Sequence, residues 1–225
     1  MIGLRILKRE RRVGEEFVKA CEGIPVANIS DCMSRLTAAG PRLRRMHKSG
    51  GMAGVALTVK TRPGDNLMIH KAIDLAEPGD VIVVDGGGDL TNALVGELMT
   101  TTAIRRGVAG FVMNGAIRDL DVIGAGSFPV FAAGVTHRGP YKDGPGEINV
   151  PIAIDGMVIH PGDLVVGDAD GVLCVPFESV EEVLAAARSK SAAEAKTLKD
   201  IAAGTLDTSW VDAALKRIGC DPVPR

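Results

Sequence analysis

The sequence predicts an α/β fold with mixed sheets, and three observations support this class. Helical patterns alternate along the chain with short, continuous apolar runs that are typical of buried strands. Two of these runs follow the same Pro-Gly-Asp turn, in the phrases at 77–85 and 160–168. Hydrophobic residues make up 46% of the chain and aromatic residues only 3%, so we expect an aliphatic core. The length of 225 residues suits one domain over 1–225.

The N-terminal segment, about 1–36, is predicted to be helical. One helix is expected over Val13–Glu22 and is ended by Ile24-Pro25. Ser30 is a suitable N-cap for a second, shorter helix over Asp31–Leu36. The basic cluster at 8–12 is offset by nearby glutamates, so we interpret it as a solvated face rather than an RNA-binding arm.

The middle of the chain is predicted to alternate between strands and helices. Strands are expected over 53–60, 81–85, 109–114 and 130–133, and helices over 66–76, 96–106 and 119–125. Gly107 should end the second of these helices, and Gly115 should turn the chain after the third strand. The two Pro-Gly-Asp phrases fit a common turn-to-strand device and a structural duplication equally well.

The C-terminal third has a different pattern. Residues 136–149 are rich in Gly, Pro and charge and predict a loop, with strands to follow near 152–154, 164–166 and 172–175. A long helix over about 178–204 begins at a capping box formed by Ser179 and Glu182 and is ended by Gly204. Its length and alanine content favour a projecting helix that packs partly on a neighbouring subunit.

Composition argues against several classes of function. A formal net charge of -2 gives no positive excess for nucleic acid. The four cysteines have no metal-binding or redox spacing and predict free thiols in a reducing compartment. No apolar run reaches membrane-spanning length, and the first residues carry charges where a signal peptide is apolar. We therefore expect a cytoplasmic protein with no membrane partner.

Geometry brings polar residues together at one edge of the predicted sheet. The Gly-rich loop at 86–89 leads to the helix over 96–106, whose first amide groups lack intrahelical partners and can bind an anion. That helix is about 15 Å long at about 1.5 Å per residue, and the strand after it returns about 16 Å. Arg118 and Asp119 should therefore lie beside the start of the helix, where α/β proteins place ligands.

The residue types at this edge suit an anionic substrate and a hard cation. Arg118 can hold a carboxylate through two hydrogen bonds. Asp119 and Glu97 supply the oxygen ligands that Mg²⁺ or Mn²⁺ prefers, and Mg²⁺ needs only one or two carboxylates because it keeps several waters. From the residues alone, a surface ion pair between Arg118 and Asp119 is an equally good interpretation.

The same residues resemble the signature of the RraA-like family. The similarity is carried by Gly96-Glu-Leu-Met99 and by the run from Arg105 to Asp119, and it extends over about 24–204. The aldolases of this family have an acidic residue, twenty intervening residues and then Arg-Asp, and Glu97 followed by Arg118-Asp119 has that spacing. The acid is usually Asp in that pattern, and the Glu of this chain puts its contacts with water in doubt.

The resemblance implies a layered, swivelling β/β/α sandwich, assembled as trimers or hexamers with active sites at subunit interfaces. It implies a metal-dependent lyase that releases pyruvate from acids such as 4-hydroxy-4-methyl-2-oxoglutarate or 4-carboxy-4-hydroxy-2-oxoadipate, and that also decarboxylates oxaloacetate. Asp119 would bind Mg²⁺ or Mn²⁺, and Glu97 would hold waters around the metal. The pyruvate carboxylate would be held by Arg118 and the amides near Gly96, those of Leu98 and Met99. Glu194 of a neighbouring subunit would complete the site.

The other candidates are weaker, and one different function stays open. We interpret His70 as a core histidine, His160 as structural, and Asp168 and Asp170 as turn residues. His137, in the 136–149 loop, is a minor candidate for substrate contact, and Asp31 for an indirect role in the site. No lysine is placed to suggest a Schiff base. The family also contains regulators of ribonuclease E activity without an assigned enzymatic role, so a protein-binding regulator is the alternative.

Overall fold

The computed structural model describes residues 1–220 and divides the chain into two compact units. The first unit covers Met1–Ala187, and the second begins at Arg188. The strands are β1 (Leu4–Ile6), β2 (Arg44–Arg45), β3 (Met52–Thr61), β4 (Asp80–Asp85), β5 (Ala93–Val95), β6 (Gly110–Ile117), β7 (Val130–Val135), β8 (Gly146–Ile148), β9 (Ile152–Ile154), β10 (Met157–Ile159), β11 (Leu164–Gly167) and β12 (Val172–Val175). The helices are α1 (Glu15–Ala20), α2 (Val26–Cys32), α3 (Leu67–Leu75), α4 (Glu97–Arg105), α5 (Leu120–Ala125), α6 (Val180–Ala202) and α7 (Ser209–Arg217).

The main sheet of the first unit is mixed, which confirms the predicted fold class. Its strand order is β1-β8-β3-β4-β6-β7-β2, with β5 paired to β6 and the β11–β12 hairpin paired to β3. The centre of the sheet, from β3 through β4 and β6 to β7, is parallel. Antiparallel neighbours flank it where β3 meets β8 and β11, and where β7 meets β2.

The core is aliphatic, and the sheet is buried on both faces. Along β4, Ile82 and Val84 belong to one apolar cluster, and Val81 and Val83 belong to another. Alternate side chains of a strand point to opposite faces, so neither face of this strand meets solvent. This explains why the run at 81–85 is continuously apolar instead of alternating with polar residues.

The prediction for the N-terminal segment is partly wrong. Helix α1 lies within the predicted Val13–Glu22, but the chain before it contains strand β1 and no helix. The helix predicted over Asp31–Leu36 is also wrong, because α2 begins directly after Pro25 and ends at Cys32. Proline is common at the start of a helix, so Pro25 marks the beginning of α2 as well as the end of the preceding segment. Positive φ angles at Ser34 and Arg35 then prevent the chain from continuing as a right-handed helix.

The prediction that Gly115 turns the chain is wrong, because β6 continues to Ile117. A Cβ atom at Gly115 would lie only 2.7 Å from Cδ1 of Leu94, so glycine is needed there for close packing of β5 against β6. Sequence patterns missed five short strands, β1, β2, β5, β8 and β10, and the helix α7. None of these strands has more than three residues, too few for a periodicity to be read.

The two Pro-Gly-Asp phrases form turns with the same hydrogen bonds. In the first, the Asp80 carboxylate accepts a hydrogen bond from the Glu77 amide at 2.9 Å. In the second, Asp163 accepts one from the His160 amide at 2.8 Å. The strands that follow, β4 and β11, lie on the two sides of β3, one parallel and one antiparallel.

The basic cluster at 8–12 is only in part a solvated face, because Lys8 is exposed but the three arginines pair with buried carboxylates. Arg9 and Arg12 place guanidinium nitrogens 2.8 and 2.6 Å from Oδ1 of the fully buried Asp80. Arg11 lies 3.2 Å from Oδ1 of the buried Asp163. The interpretation was wrong because it considered only acids that are close in sequence, whereas these partners come from turns far along the chain.

Candidate functional site

The site lies where the end of β6 meets the start of α4. The Arg118 amide donates to the Val95 carbonyl at 3.0 Å, which ties the end of β6 to β5. One residue later, Oδ2 of Asp119 accepts a hydrogen bond from the Glu97 amide at 2.8 Å. Residues 118 and 119 therefore lie beside the first turn of α4, as the lengths of the helix and the strand predict.

Gly96 allows this close approach. A Cβ atom at position 96 would lie 2.9 Å from Cγ of Arg118 and would also overlap Oδ2 of Asp119. The backbone of Gly96 is extended, so glycine is required by space and not by conformation. Gly96 therefore leaves room for Arg118 and Asp119 against the start of the helix, and its predicted role in substrate binding stays a prediction.

Asp119 has a free carboxylate oxygen and an unusual backbone. It lies just before α5 with φ of 57° and ψ of 41°, a left-handed conformation that Asp tolerates better than most residues. Its Oδ2 lies 3.7 Å from Nε of Arg118, and the two side chains are 38% and 42% exposed. Oδ1 forms no hydrogen bond or ion pair within residues 1–220, so it is available to a ligand.

The amides at the start of α4 are not equally available. The Glu97 amide is taken by Asp119, and the Met99 amide donates to the Gly96 carbonyl at 3.1 Å. The Leu98 amide has no acceptor among the described residues, and the Leu98 side chain is exposed. Of the two amides expected to bind a carboxylate, that of Leu98 is therefore the better candidate.

A cleft of about 240 Å³ opens beside these groups. Its polar side chains are Arg118, His70, Lys142 and Asn66, and none of the described residues that line it is acidic. This volume is below the roughly 300–1,000 Å³ of pockets for drug-sized ligands and suits a small acid. The cleft is therefore suited to an anion.

His70 is not the core histidine that we expected. It is exposed and lies on α3 at the wall of the cleft. Burial of part of the ring and the neighbouring Lys142 lower the pKa of His70, and Asp74 opposes this effect. The amphipathic pattern of α3 identified the helix, but one position along it was assigned to the wrong face.

Asn66 and Lys142 are two cleft residues that sequence analysis missed. Asn66 is almost fully buried, and its side-chain amide donates to the Leu94 carbonyl at 3.0 Å. Lys142 lies in the segment predicted to be loop, where no periodicity assigns a residue to a face. A polar residue directly before an apolar helix was the one available signal for Asn66.

The remaining predicted residues lie in different surroundings. Glu97 is exposed, and its carboxylate has no partner among the described residues. Glu194 belongs to the second unit, on α6, where Oε1 lies 3.2 Å from Nζ of Lys190. Asp168 holds the amides of Val26 and Asp170, which agrees with a role in a turn. Asp31 pairs with Arg35 at 2.9 Å.

The donor set at this edge fits a cation that keeps most of its waters. Within the described chain, no three His, Cys, Asp or Glu side chains form a group that could enclose a metal. Asp119 nevertheless offers one free oxygen, and Glu97 is a second, unpartnered carboxylate on the same helix terminus. Mg²⁺ is commonly bound by only one or two protein carboxylates, whereas Zn²⁺ in structural sites takes four protein ligands.

A family model and a curated relative indicate one family for this chain. The family model described as "RraA-like: Aldolase/RraA" matches residues 26–174. A protein of Halalkalibacterium halodurans named "Putative 4-hydroxy-4-methyl-2-oxoglutarate aldolase" is 43% identical over 177 residues, which are 79% of this chain and 84% of that protein.

Solved structures share the fold. An uncharacterised protein from Pseudomonas syringae has a TM-score of 0.78 and 28% identity, covering 86% of this chain and 95% of that one. The RNA-processing inhibitor RraA from Thermus thermophilis has a TM-score of 0.62 and 30% identity, covering 68% of this chain and 92% of that one. Among the helices of residues 1–220, none is both long and apolar enough to span a membrane.

Proposed function

The chain belongs to the RraA-like family, and on that basis we propose that it is a divalent-metal-dependent lyase that releases pyruvate from 4-hydroxy-2-oxo acids. Such substrates include 4-hydroxy-4-methyl-2-oxoglutarate and 4-carboxy-4-hydroxy-2-oxoadipate. The observation that carries the proposal is the contact between Asp119 and the Glu97 amide at 2.8 Å. It gathers a guanidinium, a free amide and two available carboxylate groups beside one small, acid-free cleft.

Arg118 and the Leu98 amide bind the carboxylate next to the 2-oxo group. Arg118 supplies a guanidinium that can pair with both carboxylate oxygens, and the helix terminus adds a favourable dipole. This holds the substrate with its 2-oxo oxygen toward Asp119. Positioning of this kind lowers the barrier because the reacting groups no longer have to find each other.

The reaction breaks the bond between C3 and C4. The C4 hydroxyl loses its proton and becomes a carbonyl, while the electron pair of the broken bond moves to C3 and forms the enolate of pyruvate. Glu97 would hold the water that accepts the hydroxyl proton, assisted by Glu194 of a neighbouring subunit. The water then returns this proton to C3, which gives pyruvate.

Asp119 would hold Mg²⁺ or Mn²⁺ directly, with Glu97 binding through water. When bound, the cation supplies a Lewis acid that offsets negative charge on the 2-oxo oxygen. Loss of CO₂ from oxaloacetate produces the same enolate, so oxaloacetate decarboxylation is expected as a side activity. The assembly is also proposed to be a homotrimer or homohexamer, in which Glu194 comes from a second copy.

A coupled pyruvate assay tests this proposal. Wild-type protein should release pyruvate from 4-hydroxy-4-methyl-2-oxoglutarate with Mg²⁺ or Mn²⁺, and excess EDTA should abolish the release. Asp119→Asn should lower kcat/KM at least about a hundredfold, because the variant loses the charge that holds the cation. The matched control is Asp121→Asn, which changes an exposed aspartate two residues later and should retain activity. Undiminished turnover in EDTA would reject the metal dependence.

The RNA-processing inhibitor among the similar structures supports a second candidate, a non-catalytic regulator of ribonuclease E activity. A regulator that binds a protein needs no free carboxylate beside a cationic cleft, so the site favours the lyase. The two candidates differ in one test. If the protein is a regulator, the wild type and Asp119→Asn should bind ribonuclease E equally well in a pull-down. The wild type should then be inert toward every 2-oxo acid.

A further inference from the structure

The N-terminal arm, residues 7–13, has backbone groups that the rest of the fold does not use. It contains no helix, turn or bend, so it continues from β1 as an extended segment. The Leu7 amide donates to a carbonyl at the end of β8, and the Val13 amide donates to one in the second Pro-Gly-Asp turn, each at 3.1 Å. Between them, the amides of residues 8–12 have no acceptor in the described chain. The arm is therefore an open strand edge, with which a further strand can pair.

The arginines of the arm hold this edge in a fixed position. Arg9 and Arg12 pair with the buried Asp80, and Arg11 pairs with the buried Asp163. The two carboxylates belong to the two Pro-Gly-Asp turns, so the arm is attached at two separate places. A segment that is already ordered loses little conformational entropy when a partner binds, which favours its use as a docking edge.

Two charges of opposite sign lie unpaired on the outer side of the arm. Lys8 and Glu10 are exposed, and they flank Arg9, whose side chain points inward to Asp80. Neither Lys8 nor Glu10 forms a hydrogen bond or an ion pair within residues 1–220. Alternate side chains of an extended segment point to the same side, so both charges face the same surface. The arm therefore presents one cation and one anion, two residues apart.

A groove of about 890 Å³ borders the arm. Lys8 and Glu10 line it, together with the exposed apolar side chains of Leu7, Leu36 and Val158. Exposed apolar side chains that are grouped around one groove are typical of a surface that binds another protein. The groove therefore combines an open strand edge with apolar surface that a partner would cover.

The charges along the groove indicate the kind of partner. Of its lysine, arginine, aspartate and glutamate side chains, Asp163 and Glu178 both pair with Arg11. Lys8 and Glu10 remain, one of each sign. A partner with charges of a single sign would be repelled by one of them, whereas a partner with the same two charges in reverse order would satisfy both. A second copy of the arm that runs antiparallel presents this order.

We infer that this groove docks the arm of a second copy of the chain, with the two arms antiparallel about a two-fold axis at Arg9. Lys8 of each copy then lies opposite Glu10 of the other, which gives two reciprocal ion pairs. The unused amides donate to carbonyls across the axis, and the three apolar side chains of the groove are covered. The two arginines at the axis are each already paired with the buried Asp80 of their own copy.

This contact goes beyond the proposed lyase function and does not rest on it. Asp80, which holds the arm, lies at the start of β4, whereas the candidate site follows the end of β6, and these two strands are parallel. The arm also precedes residues 26–174, which match the family model. The contact therefore uses the opposite edge of the sheet and a segment outside the family match, and it doubles whatever assembly the rest of the chain forms.

Charge reversal, followed by analytical ultracentrifugation, tests the contact. The wild type should have twice the mass of Lys8→Glu and of Glu10→Lys, because each reversal turns two attractions into two repulsions. The dissociation constant of the contact should rise at least about a hundredfold in each variant. The double variant with both reversals, and an equimolar mixture of the two single variants, should recover the wild-type mass. Lys48→Glu, at an exposed lysine outside the groove, is the matched control and should keep that mass.

Hydrogen exchange provides a second measurement on the same variants. Alternate amides of residues 8–12 should exchange slowly in concentrated wild-type protein and rapidly in either single variant. Both variants should keep the wild-type circular dichroism, because Lys8 and Glu10 have no partner within the described fold.

Three results would overturn the inference. The wild type and both single variants could have equal masses, or a halved mass in the single variants could fail to recover in their mixture. The amides of residues 8–12 could also exchange rapidly in the wild type at every concentration, which would leave the edge open to a strand of a different protein.

Discussion

Two Arg–Asp groups in this protein have the same chemistry and opposite surroundings. Asp80 is fully buried and accepts from the Glu77 amide and from two arginines, Arg9 and Arg12. Asp119 is 38% exposed, accepts from one amide, and lies 3.7 Å from Arg118. A carboxylate whose bonds are complete holds the fold together, whereas one with a free oxygen at a cleft is available to a ligand.

The difference lies in surroundings that residue types do not reveal. Within the sequence, the cluster at 8–12 and the pair Arg118-Asp119 both fit solvated surface charge. The structure shows that the arginines of the first group pair with buried carboxylates, whereas the second group borders a cleft. The comparison therefore predicts that changes in the first group affect the free energy of unfolding, and that changes in the second affect activity.

The largest effect is expected for Asp80→Asn. This variant leaves the Arg9 guanidinium, which is only 10% exposed, without its buried counter-charge. Removing one partner of a buried pair typically costs about 3–5 kcal/mol in the free energy of unfolding. Urea denaturation measures this change, and the m-values of the variant and the wild type should be equal.

The control for Asp80 is Asp74→Asn. Asp74 pairs with Arg106 at 3.0 Å, but both side chains are about half exposed, so the expected loss is below about 1 kcal/mol. A loss for Asp80→Asn as small as that of Asp74→Asn would contradict the view that the Arg9–Asp80 group is structural.

A smaller effect, confined to activity, is expected for Gly96→Ala. The added methyl group would displace Arg118 and Asp119, which lie against this glycine. Misplacement of binding groups by about 1 Å can cost about a hundredfold, so kcat/KM for pyruvate release should fall by that order. The coupled assay measures this, and near-native thermal unfolding should accompany it.

Gly124→Ala is the matched control for Gly96. It lies in α5, and its Cβ atom would meet only the Met46 carbonyl oxygen at 3.6 Å. Alanine is favoured over glycine inside a helix by about 0.5–1 kcal/mol, so this variant should keep its activity and gain slight stability. Equal activities of the two variants would show that close approach at position 96 is not required.

Much of the fold could be predicted because its elements are long and periodic. The run from 81 to 85 is apolar at nearly every position and could only be a buried strand or helix, and its length favoured the strand. Strand β8 lies in a segment dominated by Gly and Pro, and its pairing with β1 and β3 depends on residues far along the chain. Such long-range pairing leaves no local pattern.

Part of the candidate site was also predictable from the sequence. The spacing of Glu97, Arg118 and Asp119 follows from the lengths of one helix and one strand, and the structure brings the backbone of Glu97 to Asp119. Lys142 could not be found in this way, because its position depends on the buried Asp65, more than seventy residues earlier. Asp65 itself had no signal, since a carboxylate that holds loop amides resembles any other turn residue.

The smallest and most local effect is expected at His70. Partial burial and the charge of Lys142 both lower the pKa of this histidine, while Asp74 raises it. Lys142→Met removes one lowering cause, so the pKa of His70 should rise toward its ordinary value. NMR titration of the imidazole Cε1 proton measures this, and His70→Gln assigns the signal among four histidines. Lys71→Met, whose charge has no part in the shift, is the control.

The lowered pKa of His70 also has a consequence for the stability of the fold. The pKa of His70 is lower in the folded protein than in the unfolded chain, so protonation of His70 favours unfolding. The contribution of His70 to the free energy of unfolding is therefore complete above the unfolded pKa and is lost as pH falls through the folded pKa. Lys142→Met should reduce this loss on acidification, because it removes one of the two causes that lower the pKa of His70. An unchanged titration of His70 in Lys142→Met would contradict this effect of the lysine charge.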